Sequence, residues 1–454
     1  MPAVFIHVSD IHFGQEKDDR VHIHADVKKQ LISDAREVVS SLAVSSADGI
    51  LVTGDIAQKG QWTEYEEAGA WLDELAANVG VEIHSVQMVP GNHDLDRSKL
   101  SVGGEGILNH IRKGGTAEYE QILNNPLDRA TLFSRFEDYG RFSFAYNCPL
   151  NNDGGFASEM EVNLAPGRAI RFIRFNSSLL CHGGERDEHP ELMIGARQFT
   201  IPRKPGVENV VLVHHPISWY KDAEQVNTYI RSRARVFISG HEHNPKVSIE
   251  KVEDGCDVMM LAAGATVPYK SNDEYTFTYN VIEFDWDDEH DRLSVTIHPR
   301  AWNKERTCFE SDDKRLGGKD PNFKLGSPFF RQALRPVSEN NISPGLSQTI
   351  SSPVISAKPI IEIVSTEEPN ESIQPIPPHE EGYENARLKF FRNLREGERL
   401  RILLELDALP KEFNGPMSQG IERKLFDMLV RKGKLGELKK RIDKLMSERK
   451  DGAR

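Results

Sequence analysis

Apolar and polar positions follow two rhythms in the N-terminal part of the chain. Residues 4–8 form a short apolar run, interrupted by His7 and closed by Ser9-Asp10, and Ile50-Leu51-Val52-Thr53 is closed by Gly54-Asp55. Short runs of this kind with polar tips predict buried strands. Between them Val27, Leu31, Ala35, Val38, Val39 and Leu42 recur at helical spacing, predicting a helix over 25–43. A second such segment, 62–78, precedes a predicted strand from Val81 to Val89. The order strand, helix, strand, helix, strand predicts a right-handed α/β layer. In open α/β sheets chemistry gathers beyond the carboxyl ends of the strands, which is where Asp10, Asp55 and Asn92 fall.

Residues 97–145 are polar, glycine-bearing and partly helical, and predict an insertion over one side of that region. β-rich runs return at 157–175, 210–213, 236–239, 258–262 and 275–284, with 291–300 extending them, which predicts a second sheet. From Arg335 the composition turns to Pro, Ser, Asn and Glu without a sustained period, the signature of a disordered linker. Helical spacing resumes over 384–450 with Leu388, Phe391, Leu394, Leu403, Leu425, Leu429, Leu438 and Ile442. The expected division is a catalytic domain over 1–334, a disordered linker over 335–382 and a small all-α accessory domain over 383–454. A polar, proline-bearing linker transmits little strain, so the tail is expected to be separable from the catalytic domain.

Composition narrows the function classes. The chain of 454 residues is long enough for two or three domains. It contains no apolar run long enough to cross a bilayer, and its N-terminus enters a strand-like pattern without a basic segment and apolar core, so a cytoplasmic location is expected. Cys148, Cys181, Cys256 and Cys308 form no Cys-x-x-Cys pair, which predicts reduced, buried thiols rather than a disulfide framework or a thiolate zinc site. The net charge of −13 argues against a general nucleic-acid binder, though bound divalent cations reverse the local sign at an acidic site. The tail is the exception, with about 18 Lys and Arg against about 11 Asp and Glu over 384–450.

Five segments carry candidate chemistry: Asp10-Ile11-His12, Gly54-Asp55, Gly91-Asn92-His93-Asp94, His214-His215 and Gly240-His241-Glu242-His243. Carboxylate oxygens mixed with imidazoles suit two divalent ions such as Mn, Fe or Zn rather than an all-oxygen calcium cage. Two ions need a bridging carboxylate, and Asp55, at a strand end after glycine, is the expected bridge. Strand alternation would put Asp10 and His12 on one side if the chain is still extended there. The glycines at 54, 91 and 240 remove side chains where the backbone must turn or approach the ions. Of the adjacent pair, His214 is expected to reach the metal and His215 to point away. His93, between Asn92 and the acid Asp94 that would orient it, is the expected catalytic imidazole, stabilising the phosphoryl group or protonating the leaving oxygen. Outside these segments His7 reads as structural, His22 and His24 as a solvated loop, Asn176 as a turn cap and Trp219-Tyr220 as partly buried aromatics.

The five blocks in this order resemble the calcineurin-like metallophosphoesterases, whose pattern is Asp-x-His, Gly-Asp, Gly-Asn-His-(Asp/Glu), His and Gly-His-x-His. The resemblance implies a four-layer α/β/β/α sandwich over about residues 1–300. It implies that Asp10, His12 and His243 hold one ion, that Asn92, His214 and His241 hold the other, and that Asp55 bridges them. It implies hydrolysis of a phosphoester by a metal-bridging hydroxide. "GDIAQKGQWTEYEEAGAWLDEL", "RFNSSLL" and "VLVHHPIS" are most similar to the cyclic-nucleotide phosphodiesterase-type branch, and "IHVSDIHFG" is similar to repair nucleases of the same superfamily. A nucleotide or nucleic-acid diester is therefore the expected substrate, with a nuclease or a non-catalytic metal-binding scaffold as alternatives. One departure is "GDIAQKGQ", which lacks the second Asp or the Arg that many members carry shortly after Gly-Asp. The tail pattern "KLFDMLVRKGKLGELKKRIDKL" resembles small effector-associated adaptor domains of bacterial conflict systems, which implies a protein partner or self-association through 383–454.

Overall fold

Ala3–Val8 (β1) is buried at every position, as a strand covered on both faces must be. Its alternate side chains enter two different cores: Val4, Ile6 and Val8 pack with helices, while Ala3 and Phe5 pack between sheets. The computed structural model describes residues 2–16, 20–42, 44–158, 160–185, 189–252, 257–268, 276–318, 320–332, 382–394, 396–409 and 419–452. The expected linker lies outside these residues except for Gly382, and so does Cys256.

Parallel to β1 run Gly49–Val52 (β2) and Val86–Met88 (β3), joined by helices Arg20–Ser41 (α1) and Trp62–Val79 (α2). The strand expected from Val81 is shorter than its apolar pattern, because Ile83–Ser85 forms a 3₁₀ turn first. His22 and His24, expected in a loop, sit in the first turns of α1. Helices Val102–Gly114 (α3), Thr116–Asn124 (α4), Pro126–Phe133 (α5) and Glu137–Ala145 (α6) build the expected insertion.

The second sheet contains Glu161–Ala165 (β4), Arg168–Arg174 (β5), Val207–Leu212 (β6), Val236–Ser239 (β7), Lys246–Glu250 (β8) and Val258–Ala262 (β9), in the order β4-β5-β6-β7-β9-β8. Thr278–Asp287 (β10) and Arg292–Asn303 (β11), expected in that sheet, belong to the first. There β10 runs antiparallel to β1, and Cys308–Ser311 (β12) and Asn322–Leu325 (β13) both pair with β11. Their pairing partner is separated from them by more than half the chain, so the apolar pattern of the strands cannot name it. The sheets pack face to face through Phe5, Phe172 and Phe284, with the Phe5 and Phe172 rings 4.9 Å apart. α1 and α2 cover the first sheet and Ala223–Arg233 the second, which completes the four layers of the α/β/β/α sandwich.

Helices Tyr383–Leu388, Glu396–Glu405, Gln419–Arg431 and Leu435–Gly452, with a π-helical turn Lys389–Asn393, form the expected all-α tail. Its placement departs from the expected independence. The Arg392 guanidinium donates to Asp73 on α2 at 2.8 Å, the Phe391 ring meets Phe144 of α6 at 4.8 Å, and Arg141 donates to the carbonyls of Phe391, Arg392 and Leu394. The buried side chains of the tail are continuous with those of α2 and α6 in one apolar cluster. Among the described residues no helix is long and apolar enough to cross a membrane. Cys148 and Cys181 are buried and in no disulfide, as expected, whereas Cys308, on a short edge strand, is half-buried.

Candidate metal centre

Loops leaving β1, β2, β3, β6 and β7 bring all five motif segments to one place, at the carboxyl ends of strands from both sheets. Asp10 and His12 converge there, although not by strand alternation. β1 ends at Val8, and both residues adopt left-handed backbone, with φ of 54° and 53°. The amide of Asp10 donates to Gly54 O, and those of Ile11 and His12 donate to Asp55 O. This crosslink of the first two loops holds a conformation that non-glycine residues avoid. Asp55, His241 and His243 share it, so among the described residues most of the non-glycine positions with positive φ are candidate ligands.

The Asp10 carboxylate lies 3.1 Å from His243 Nε2 and also accepts from the His241 amide. Asp55 Oδ2 stands 3.4 Å from His214 Nε2 and 3.8 Å from His12 Nε2, and its Oδ1 accepts from the His93 amide at 2.8 Å. Asn92 Oδ1 is 3.1 Å from His214 Nε2. The ring of His214 donates from Nδ1 to the Thr53 carbonyl at 2.8 Å, which turns Nε2 toward the carboxylates. Gly91 is required by close approach, since a Cβ there would stand 2.1 Å from Asp55 Oδ1. At Gly54 φ is 94° and a Cβ would meet the His214 ring. Four sets of donor atoms close enough to share an ion result: Asp10, His12 and His243; His12, Asp55 and His93; Asp10, Asp55 and His214; and His214, His215 and His241.

A family model described as calcineurin-like phosphoesterase matches residues 3–245. The chain belongs to that family. A second model, the GTPase-associated adaptor domain, matches residues 382–444. The metallophosphoesterase-like protein YydB of Bacillus subtilis is 33% identical over 346 residues; the match covers 72% of this chain and 65% of that protein's length. Among solved structures, a purple acid phosphatase from yellow lupin (Lupinus luteus) matches 77% of this chain and 57% of its own at 11% identity and TM-score 0.40. The calcineurin-like phosphoesterase YfkN of Bacillus subtilis matches 72% of this chain and 90% of its own at 11% identity and TM-score 0.30.

The electrostatics of the calcineurin-like site fit the cations on which the family depends. Burial disfavours charge throughout, yet the histidines around Asp55 hold its carboxyl well below the ordinary range, and His243 and His214 do the same for Asp10. Burial holds His12 and His241 down at about 4, leaving neutral imidazoles with free lone pairs. Against that same burial, Asp55 and Asp10 push His214 up to about 9, and Asp10 raises His243. Two ionised carboxylates thus hold protons on neighbouring imidazoles, and a divalent ion would satisfy the same demand for positive charge.

Several expected roles change on inspection. Asp94 does not orient His93. Its buried carboxylate accepts from the amides of Ile56, Ala57 and Gly91 and from the Tyr65 hydroxyl, while burial and Asp55 push its pKa up to about 6. His93 Nδ1 instead meets the Gln58 carbonyl at 2.8 Å. His215 does not point away from the centre: β6 ends at Leu212, so strand alternation no longer applies, and the His215 ring lies 4.7 Å from that of His214 and 4.5 Å from that of His241. Its Nδ1 is engaged by Ser177 Oγ at 2.8 Å. Asn176 caps a turn as expected, accepting from the Ser178 amide, and His7 is structural, between Thr53 and Asn280. Trp219 is half-buried with its ring edge-on to His241 at 4.3 Å, and Tyr220 is buried. The sequence reading assigns no role at the centre to Thr53, Gln58 or Tyr65. The first two act on the imidazoles through main-chain carbonyls, which leave no mark in the sequence, and Tyr65 looks like any core aromatic of α2.

Proposed function

We propose that this chain is a two-metal phosphoesterase that hydrolyses a nucleotide or nucleic-acid phosphodiester in the cytoplasm. On this reading residues 1–334 form the catalytic domain, 335–382 a linker, and 383–454 an adaptor that recruits a protein partner of the GTPase-associated class. The observation that carries the reading is the position of Asp55, whose carboxylate is shared between a donor set containing His12 and one containing His214. Asp10, His12 and His243 would hold one ion, Asn92, His214 and His241 the other, and Asp55 both, with Mn, Fe or Zn as the fitting metals. When bound, such ions activate water and neutralise the charge gathering on the phosphoryl oxygens.

The protein's own groups do the rest. A carbonyl can only accept, so the Gln58 contact fixes a proton on His93 Nδ1 and leaves Nε2 for the substrate. His93 then stabilises a phosphoryl oxygen or passes a proton to the leaving oxygen. Asp94 and Tyr65 are positioning residues, holding the Asp55 and Asn92 loops together from behind. The test is to load the full chain with Mn²⁺, Fe²⁺ or Zn²⁺. Each preparation is assayed on p-nitrophenyl phosphate, bis(p-nitrophenyl) phosphate, cyclic nucleotides, dinucleotides and single-stranded DNA and RNA, with Asp55→Asn alongside. Diester turnover that vanishes in Asp55→Asn together with bound metal is expected. Turnover in Asp55→Asn equal to that of the unchanged chain, with both metals retained, sinks the assignment.

A further inference from the structure

Beside His93, on the side formed by the loops after β2 and β3, lies a cavity of about 170 Å³ lined by Gln58, Lys59, Gln61, His93, Arg97 and Ser98, among others. Lys59 and Arg97 are both exposed. The Arg97 guanidinium donates to the Asn92 carbonyl at 3.2 Å, and among the described residues neither side chain makes an ion pair, although Glu64, which accepts from the Lys59 amide, lies near enough to interact with the Lys59 charge. Nearby Lys99, Arg112 and Arg197, by contrast, each meet an acid. One carboxylate lines the cavity, that of Asp96, and it is turned inward to the amide and hydroxyl of Ser98. The pocket therefore presents two cations and two amide side chains next to the imidazole that faces the scissile group.

We propose that this cavity is a subsite for a second phosphate, so that the preferred substrate is a phosphodiester carrying a further phosphate one nucleotide from the scissile one. This rests on the phosphodiesterase reading above and narrows its substrate class. An acidic chain repels a polyanionic substrate at long range, and paired local cations next to the metals reverse that sign where the second phosphate arrives.

The probes are the dinucleotides TpT and pTpT, which differ by one terminal phosphate. With the Mn²⁺-loaded full chain, kcat/KM is expected to favour pTpT by about tenfold, the scale of one good charge-assisted contact. In the Lys59→Gln–Arg97→Gln double variant this ratio should fall toward one, and in Lys59→Arg it should persist. Because the readout is a ratio, a variant that merely disturbs the fold lowers both substrates alike and leaves it unchanged, which would overturn the subsite. Equal cleavage of the two dinucleotides by the unchanged chain would overturn it too. Failure to hydrolyse any diester would count against the phosphodiesterase reading instead. Equilibrium binding of pTpT then tests the subsite alone: about tenfold weakening in the double variant supports it, and no weakening overturns it.

Discussion

His93 is fixed by two main-chain contacts, its amide on Asp55 Oδ1 and its Nδ1 on the Gln58 carbonyl. Neither depends on the imidazole binding a metal, although the ring lies 4.9 Å from that of His12. His93→Ala is therefore expected to keep full metal content while turnover falls by about a hundredfold or more, the usual scale for a proton donor or transition-state contact. Metal analysis beside steady-state kinetics checks this, and parallel loss of metal would make His93 a ligand. The opposite pattern belongs to Asp55. Its charge serves two donor sets, so Asp55→Asn should deplete metal further than His241→Ala or His243→Ala, each of which touches a single set.

At the level of elements, the centre is an assembly of loops held from behind. Asp94 joins the loop after β2 to the loop after β3 through the amides of Ile56, Ala57 and Gly91, and Tyr65 ties it to α2 with a hydroxyl contact of 3.0 Å. Asp94→Ala leaves three buried N–H groups without acceptors, at about 1–3 kcal/mol each before any relaxation. A marked drop in the denaturation midpoint together with loss of metal is expected, even though Asp94 touches neither ion nor substrate. Tyr65→Phe removes a single hydroxyl, shared between the carbonyl and the carboxylate of Asp94, and should cost about 1 kcal/mol with metal retained. A variant Asp94→Ala that is as stable as the unchanged chain but inactive would return Asp94 to the role read from the sequence, that of the acid serving the catalytic imidazole.

For the whole molecule, the tail matters as a packed body and not only as a tethered one. Arg392 spans from the π-helical turn to Asp73 and Tyr146, and Phe391 fills the surface over Phe144. Tyr146 in turn packs on Phe142, which stacks on Tyr65 with ring centres 4.9 Å apart. The tail thus rests on the same helices that brace the centre. Arg392→Ala removes a largely buried ion pair and leaves Asp73 without it, about 1–3 kcal/mol, which should lower the melting temperature by about 2–4 °C. A chain ending at residue 334 exposes the Phe144 surface and should melt lower still. Unchanged melting of both would restore the separable tail that the linker composition suggests.

The sequence by itself determined which donor-bearing segments could form a metal centre, the first three strands and the presence of a helical tail. It did so because each depends on local pattern: donors placed directly after short apolar strands, and apolar residues at helical spacing. The tertiary structure decided what contacts across hundreds of residues decide. β10 and β11 pair with the first sheet because β1 offers an edge that their own pattern does not name. Asp10 and His12 face one point because hydrogen bonds to the Asp55 loop hold them in left-handed backbone, not because the strand continues. His93 answers to the carbonyl of Gln58 rather than to its neighbour Asp94, and a carbonyl is common to every residue, so no side-chain code announces it. The tail docks because Phe391 and Arg392 find complementary groups on α2 and α6, a match between surfaces that only folding brings together.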